Sequence, residues 1–167
     1  MCIGNRDGGD DAVGPYIADR LNSEQPKNIG IIDCGTTPEN YTSVVKREKP
    51  KTLVIIDAVD MRLSPGEIRI VPKEKIGVMT ISTHGIPISV LIGYLEKYIK
   101  NIVFVGIQPE KMSGKITTSI KKSGDKLIEK IMNNKLKKIK TLQWEKHGFV
   151  IPIYFLEMYR HQVFIKI

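Results

Sequence analysis

The sequence predicts an α/β fold in which helices cover both faces of a twisted, mainly parallel sheet, giving a three-layer α/β/α sandwich. Short apolar, β-branched runs at residues 29–33, 53–57 and 102–107 are typical of buried strands. Segments with helical period lie between and after these runs, and strands that alternate with helices favour a parallel sheet. A length of 167 residues suits one domain with a core of its own.

The first half of the predicted sheet begins at the first residue. Residues 1–4 form the first strand, which is short for a central strand and is therefore predicted to be truncated at its start. Residues 11–21 fit a helix. Residues 67–71 alternate between apolar and polar side chains, which predicts a more exposed strand.

Two further helices are predicted in the second half. Residues 87–98 fit a helix with Pro87 in its first turn, where the missing N–H costs nothing. Residues 117–132 are amphipathic, with lysines on one side. The opposite, apolar face of that helix carries Ile120, Leu127, Ile128 and Ile131.

Composition excludes several classes of protein. The two cysteines, Cys2 and Cys34, have no paired spacing, which argues against a disulfide framework and against a cysteine-type zinc site. Both are expected at strand ends as small buried residues. No apolar run is long enough for a membrane span, and none follows Met1 as a signal peptide would, so the predicted location is the cytoplasm.

The net charge of +8 is concentrated late in the chain. Between Lys121 and Lys140 there are eight lysines and two acids, so most of the excess lies in one stretch. Aromatic residues and arginines do not interleave with these lysines, as they would in a nucleic-acid footprint. We therefore interpret the stretch as a solvated helix face and predict no nucleic-acid partner.

The chain is predicted to form a single domain over residues 1–144, followed by a hydrophobic extension over residues 145–167. Polar residues scattered through the extension exclude a spanning helix. Its role is open between an extra strand, a cover for a partner and a poorly conserved appendage. A monomer is expected, and the extension is the segment through which an oligomer could form.

Aspartates follow three of the predicted strands. Asp10 and Asp11 come after the first strand, Asp33 ends the second and Asp57 ends the third. Sites in open α/β sheets form beyond the carboxyl ends of the strands. A single aspartate there is typically a helix cap or loop anchor, whereas clustered carboxylates repel one another and call for a cation or a protonated partner. We expect one of Asp10 and Asp11 to cap the first helix and the other to point into the site.

His84 is the natural companion of these acids. It lies in the polar turn STHGIP, where a lone histidine is more often a helix-start residue than a ligand. Together, Asp11, Asp57 and His84 would supply two oxygens and one nitrogen, a set that suits Ni²⁺, Zn²⁺ or Fe²⁺ better than Mg²⁺ or Cu⁺. Three protein ligands would leave positions for a substrate or water. The same three residues could also work without a metal, as a carboxylate pair with a histidine acid/base.

The glycine-rich turn GNRDGG, residues 4–9, departs from the known phosphate-binding motifs. It is not G-x-G-x-x-G, and it lacks the lysine of a P-loop. Its glycines let the backbone turn sharply and approach another group closely, and a peptide chain or a bound ion would both fit. No Ser or Cys lies in a nucleophile-elbow setting, so covalent hydrolase chemistry has no support.

Five segments resemble, in the same order, those of the hydrogenase maturation proteases: CIGNRDGGDDAVGPYIADRL, IIDCGTTPE, LVIIDAVDMRLSPGEI, STHGIP and VFVGIQPE. The resemblance covers roughly residues 1–133. These endopeptidases trim the C-terminus of the large subunit of nickel–iron (NiFe) hydrogenases, and the resemblance is nearest to archaeal members. It implies a twisted, mainly parallel sheet sandwiched by helices and a NiFe-hydrogenase large-subunit precursor as partner.

The resemblance also implies site residues. Enzymes of this family act after nickel has been inserted into the substrate and hold no permanent metal or other cofactor. Position by position, Asp11, Asp57 and His84 match the two acids and the histidine thought to bind the substrate's nickel. Cys34 stands where the family usually has a glycine, which affects the loop after Asp33, and the extension at 145–167 has no family counterpart.

Two alternatives stay open at this point. A peptidyl-tRNA hydrolase-like enzyme also begins with a G-x-G-N turn on an α/β fold, but it needs a histidine soon after the turn, and none precedes His84. A non-catalytic nickel-binding chaperone could use the same cluster of two aspartates and one histidine.

Overall fold

The computed structural model describes residues 1–79 and 85–143, and five strands there form one sheet in the order β2-β1-β3-β5-β4. Strands β1, β2, β3 and β5 run parallel, and β4 pairs with β5 antiparallel at the edge. The strands are β1 Cys2–Ile3, β2 Asp33–Gly35, β3 Leu53–Ala58, β4 Ile68–Ile70 and β5 Ile102–Ile107.

Within these two ranges, five α-helices connect and cover the strands: α1 Val13–Glu24, α2 Thr42–Glu48, α3 Lys73–Met79, α4 Ile88–Leu95 and α5 Thr118–Met132. Short 3₁₀ turns at Gly9–Ala12 and Pro38–Tyr41 lead into α1 and α2, and a third lies at Leu136–Lys138. Over the described ranges, no helix has both the length and the apolar character that a bilayer crossing requires.

The sheet separates two hydrophobic cores. Helices α1 and α5 cover one face, where Val13, Ile17 and Leu127 are fully buried. Helices α2, α3 and α4 cover the other face, where Leu91 and Leu95 are buried against the strands. The predicted three-layer α/β/α arrangement around a mainly parallel sheet is therefore confirmed.

Several predicted elements match the structure closely. Strand β5 occupies residues 102–107 as predicted, and β3 extends one residue beyond its predicted end. Helix α5 begins one residue late because Thr117 is its N-cap, with a side chain that accepts a hydrogen bond from the Ile120 N–H. The predicted apolar face of α5 is buried at Ile120, Leu127 and Ile128 and partly buried at Ile131.

The predicted strand at residues 29–33 is wrong in position. Strand β2 starts at Asp33, and its partners are the two residues of β1, since Cys2 pairs with Asp33 and Ile3 with Gly35. A partner strand this short leaves residues 29–31 without a neighbour to pair with.

Helix α4 is shorter than predicted, and two helices were not predicted. Pro87 is the N-cap of α4, with an extended ψ of 137°, and not part of its first turn. Helices α2 and α3 have seven residues each. Segments this short contain too few turns to show a clear helical period.

Two helical glycines give a test of how closely α1 lies against the sheet. A Cβ at Gly14 of α1 would lie 1.9 Å from the Ile3 carbonyl oxygen, whereas a Cβ at Gly93 of α4 would meet nothing within 4 Å. Gly14→Ala should lower the free energy of unfolding by about 3 kcal/mol because α1 must move away from β1. Gly93→Ala should raise it by about 0.5–1 kcal/mol. Urea unfolding of both variants checks this, and equal effects would contradict the close α1–β1 contact.

Candidate active site

The connectivity of the sheet creates a crevice between β1 and β3. The chain leaves β1 through α1 to reach β2 on one side, then returns through α2 to reach β3 on the other side. Helices α1 and α2 lie on opposite faces, so their connections diverge at the carboxyl ends of β1 and β3. Ligands of open α/β sheets bind at such a switch point.

Asp57 lies at the β3 side of this crevice. It is the fifth residue of β3 and is only 4% exposed. Leu53 and Ile55 of the same strand pack in the core under α2, α3 and α4, and strand alternation places Asp57 on the same face. Its neighbour in register on β5 is Gly106, where a Cβ would lie 3.1 Å from the Met61 sulfur and from the Val71 side chain.

Asp11 lies on the β1 side. It belongs to the 3₁₀ turn Gly9–Ala12, which contacts β3, and it is 5% exposed. Its Oδ2 accepts a hydrogen bond of 2.8 Å from the backbone N–H of Asn5. The structure therefore brings two of the three predicted site residues, Asp11 and Asp57, to the ends of adjacent strands as buried carboxylates.

His84 lies outside the described residues, so its proposed role stays a prediction. Within residues 1–79 and 85–143, no three histidine, cysteine, aspartate or glutamate side chains are placed to hold a metal ion. A site of the predicted kind therefore depends on the residue that these ranges omit.

Glu39 is an acid near this region that the sequence analysis missed. A Cβ at Gly85, the residue after His84, would lie 2.8 Å from the Glu39 Oε1. The Oε2 of Glu39 is inaccessible to solvent and has no hydrogen-bond donor among the residues that the structure describes. Its position in the TTPEN segment after β2 gave no signal, because a glutamate in a 3₁₀ turn is usually solvated.

Asp10, the neighbour of Asp11, has a structural role. One of its oxygens accepts hydrogen bonds from the Glu110 and Lys111 N–H groups at 2.8 and 2.9 Å, and the other accepts from the Thr117 N–H at 2.7 Å. Burial by itself would raise the pKa of Asp10, but the three backbone donors outweigh it and hold the pKa below its usual value. Asp10 therefore remains a charged anchor for the loop between β5 and α5.

The expectation that Asp10 or Asp11 caps α1 is wrong. Both acids lie inside the 3₁₀ turn, and the N-cap of α1 is Ala12, which makes no side-chain capping bond. The glycine-rich turn was expected to let another group approach closely, and that group is the backbone of the loop after β5. A Cβ at Gly9 would lie 2.4 Å from the Ser113 nitrogen. Gly9 also has φ of +66°, a conformation that side chains rarely adopt.

Asp33, the third strand-end acid, is engaged at the surface. Arg6 donates to Asp33 at 2.5 Å and to Asp19 at 2.7 Å, so one guanidinium joins the glycine-rich turn to β2 and α1. The hydrogen bond from Arg6 lowers the pKa of Asp19. Arg6 is thus the positive partner of Asp19 and Asp33, the two acids nearer the surface, and not of Asp57.

Gln108 organises the loop after β3. Its Oε1 accepts hydrogen bonds from the Met61 and Leu63 N–H groups at 2.7 and 3.2 Å, and its Nε2 donates to Asp60 at 3.2 Å. The residue is 7% exposed and directly follows β5. The VFVGIQPE segment was noted in the sequence, but nothing in it indicated that the glutamine holds the neighbouring loop.

Both thiols are buried, as predicted, but only Cys2 lies at a strand end, since Cys34 is the middle residue of β2. Cys2 is 2% exposed and Cys34 is 1% exposed, and neither forms a disulfide. Burial raises the pKa of both thiols, that of Cys34 to about 12. A thiol in this state is a poor nucleophile, which agrees with the absence of a nucleophile-elbow motif.

Sequence comparison assigns most of the chain to one family. Residues 15–134 match the family model described as HycI, hydrogenase maturation protease. The hydrogenase 3 maturation protease of Escherichia coli K12 is 40% identical over 111 residues, which are 66% of this chain and 71% of that protein. The matched family region includes Asp57 and position 84, and it begins after Asp11.

Solved structures of similar proteins have the same fold. The solution structure of the endopeptidase HycI from Escherichia coli has a TM-score of 0.80 at 33% identity, covering 87% of this chain and 96% of that one. The crystal structure of the NiFe hydrogenase maturation protease HycI from Thermococcus kodakarensis KOD1 has a TM-score of 0.72 at 31% identity, covering 80% and 88%.

The Asp10 anchor gives a prediction about stability and pH. Asp10→Asn should lower the free energy of unfolding by about 2–4 kcal/mol at neutral pH, because an amide cannot accept from all three donors. The folded pKa is depressed, so the wild-type advantage is present above the unfolded pKa of about 3.9 and is lost as pH falls through the folded pKa. Urea unfolding across pH should show the two proteins converging in acid.

The matched control for this experiment is Asp7→Asn, which changes an exposed carboxylate three residues before Asp10. Its effect should stay within about 0.5 kcal/mol at all pH values. A gap between wild type and Asp10→Asn that persists unchanged in acid would show that the charge of Asp10 does not matter.

Proposed function

Because the chain belongs to the hydrogenase maturation protease family, we propose that it removes the C-terminal extension of a NiFe-hydrogenase large-subunit precursor after nickel insertion. The observation that carries the proposal is the pair Asp11 and Asp57, buried carboxylates at the ends of adjacent strands at the switch point. A similar protein from Escherichia coli is named for the maturation of hydrogenase 3, which supports a hydrogenase precursor as substrate.

We propose that the substrate's own nickel is the recognition element. Asp11, Asp57 and His84 bind it, and the protease itself keeps no permanent metal or cofactor. Two buried carboxylates at the ends of adjacent strands, together with an imidazole, form a donor set that suits a divalent nickel ion. Binding is therefore strongest for a precursor that brings its ion, and ordinary peptides are poor substrates.

Two roles for the ion fit this site. It can polarise the scissile carbonyl or lower the pKa of an attacking water. Alternatively, it only positions the scissile bond, and one of the aspartates takes the proton from water as a general base. In both cases β3 positions Asp57, the 3₁₀ turn Gly9–Ala12 positions Asp11, and the Asn5 N–H orients the Asp11 carboxylate.

The two alternatives from the sequence gain no support from the family or from the solved structures. The relatives are named as maturation proteases and endopeptidases, which is a peptidase activity. Neither a peptidyl-tRNA hydrolase-like activity nor a purely nickel-delivering role is therefore part of the proposal.

The first test compares precursors that differ only in nickel. The purified protein should shorten a nickel-loaded hydrogenase large subunit and leave the nickel-free form intact. The nickel-free form brings no metal ion for the two aspartates and His84 to bind. Mass spectrometry of the large subunit before and after incubation gives the result. Equal cleavage of the two forms would rule out nickel recognition.

The second test changes the proposed ligands one at a time. Asp57→Asn and Asp11→Asn should each slow trimming by about 10²-fold or more, since each removes a charged ligand or the base. The matched control is Asp7→Asn, an exposed acid four residues from Asp11. His84→Gln should behave like the first pair. Trimming that survives Asp57→Asn while nickel delivery is lost would favour the chaperone.

A further inference from the structure

A basic groove runs along α5 on the side of the sheet away from Asp57. It lies between α5, the edge strand β4 and the segment after Leu136–Lys138, and it encloses about 490 Å³. Ser123 donates a hydrogen bond of 2.8 Å to the Gly66 carbonyl, which closes the floor of the groove between helix and strand. The cations that line it are Arg69, Lys122, Lys126, Lys130, Lys138 and Lys140.

The positive charge of the groove is uncompensated. Its one acidic lining residue, Glu67, pairs with Arg69 at 2.5 Å, so these two charges cancel. The other five cations are lysines, and none makes an ion pair within the described part of the chain. Asp125, an acid on α5, is instead held on the α1 side by Tyr16 and Arg20. Five like charges around one groove repel, and an anionic ligand would relieve that repulsion.

The spacing of the lysines suits an extended acidic peptide. Lys122, Lys126 and Lys130 are four residues apart on one helix, which places them about 6 Å apart along its axis. Alternate side chains of an extended peptide are about 6.6 Å apart on one side. A peptide with acids at every second position can therefore face successive lysines.

The chemistry of the lining argues against a nucleic acid. No Phe, Tyr or Trp among the described residues lines the groove, so it offers no surface on which bases could stack. Its single arginine is committed to Glu67. Residues 145–167 of this chain are a poor occupant as well, since three basic and two acidic residues leave them with a net positive charge.

One end of the groove reaches the edge of the sheet where the candidate site lies. Pro65 and Gly66 line that end, and the Gly66 N–H donates to the Gln108 carbonyl at 2.8 Å. Gln108 follows β5, whose Gly106 is the register neighbour of Asp57. A polypeptide bound in the groove would thus contact the loop between β3 and β4, which borders the site.

We propose that this groove is a docking site for an acidic, extended segment of the protein substrate, separate from the residues that cut it. The identity of the partner rests on the proposed function, whereas the preference for an acidic peptide rests on the groove alone.

The binding test uses a fluorescent short peptide with glutamate at every second position. Anisotropy should show binding that weakens with added salt. The variant K122Q/K126Q/K130Q should bind about tenfold more weakly, because three exposed charge pairs are lost. The control K27Q/K97Q/K121Q removes the same charge from exposed lysines outside the groove and should bind like wild type. Thermal unfolding confirms that both triple variants are folded.

Three results would overturn the proposal. Equal loss of affinity in the two triple variants would show that only net charge matters. Tighter binding of an oligouridylate of equal length would assign the groove to nucleic acid. Failure of the glutamate peptide to bind the wild-type protein at low salt would show that the groove does not bind acidic peptides.

The cleavage test links the groove to the substrate. With nickel-loaded precursor, the groove variant should raise KM with little change in kcat, while the control triple variant leaves both unchanged. An unchanged KM in the groove variant would refute the substrate as occupant. Asp57→Asn should keep wild-type affinity for the glutamate peptide, so trimming by that variant would overturn the proposed function and leave the binding result standing.

Discussion

The carboxylate of Asp10 joins two connections that are a hundred residues apart in the chain. It accepts three backbone hydrogen bonds from the loop after β5, and its own N–H donates to the Lys111 carbonyl at 2.9 Å. These contacts hold the turn after β1, which carries Asp11, against the loop after β5. The position of Asp11 at the end of β1 therefore depends on the neighbouring Asp10 as well as on the Asn5 N–H.

Asp10 and Asp11 are adjacent and similarly buried, yet they have different roles. Backbone N–H donors surround the Asp10 carboxylate, so its negative charge stabilises the fold, and the pKa of Asp10 is held low. Asp11 accepts from the Asn5 N–H and lies one residue nearer α1. Position in the 3₁₀ turn decides which acid anchors the loop after β5 and which accepts from Asn5, because successive residues of such a turn point about 120° apart.

The parts of the fold that the sequence predicted are those with long or strongly patterned elements. Residues 102–107 are a continuous apolar run, and residues 117–132 show several turns of one apolar stripe, so both were located within one residue. Helices α2 and α3 are too short to show a period. The start of β2 depends on how far β1 extends, which is a tertiary constraint that no local pattern in residues 29–33 contains.

The same distinction applies to the candidate site. Asp11 and Asp57 could be singled out because strand-end acids meet at one edge of a parallel sheet. Three other features could not be predicted, because the partners are distant in sequence. They are the anchoring role of Asp10, the loop contacts of Gln108 and the position of Glu39 beside Gly85. Arg6 was missed for the same reason, since its two carboxylate partners lie 13 and 27 residues away.

The distribution of charge is consistent with two binding surfaces on one small domain. Asp57 lies on the face covered by α2, α3 and α4, and the five groove lysines lie on or beside α5 on the other face. A lysine placed next to Asp57 would compete with a cation for the carboxylate, and the groove lysines instead lie on the opposite face of the sheet. Under the proposed function, this separation assigns the acidic segment and the nickel of one substrate to different places on the domain.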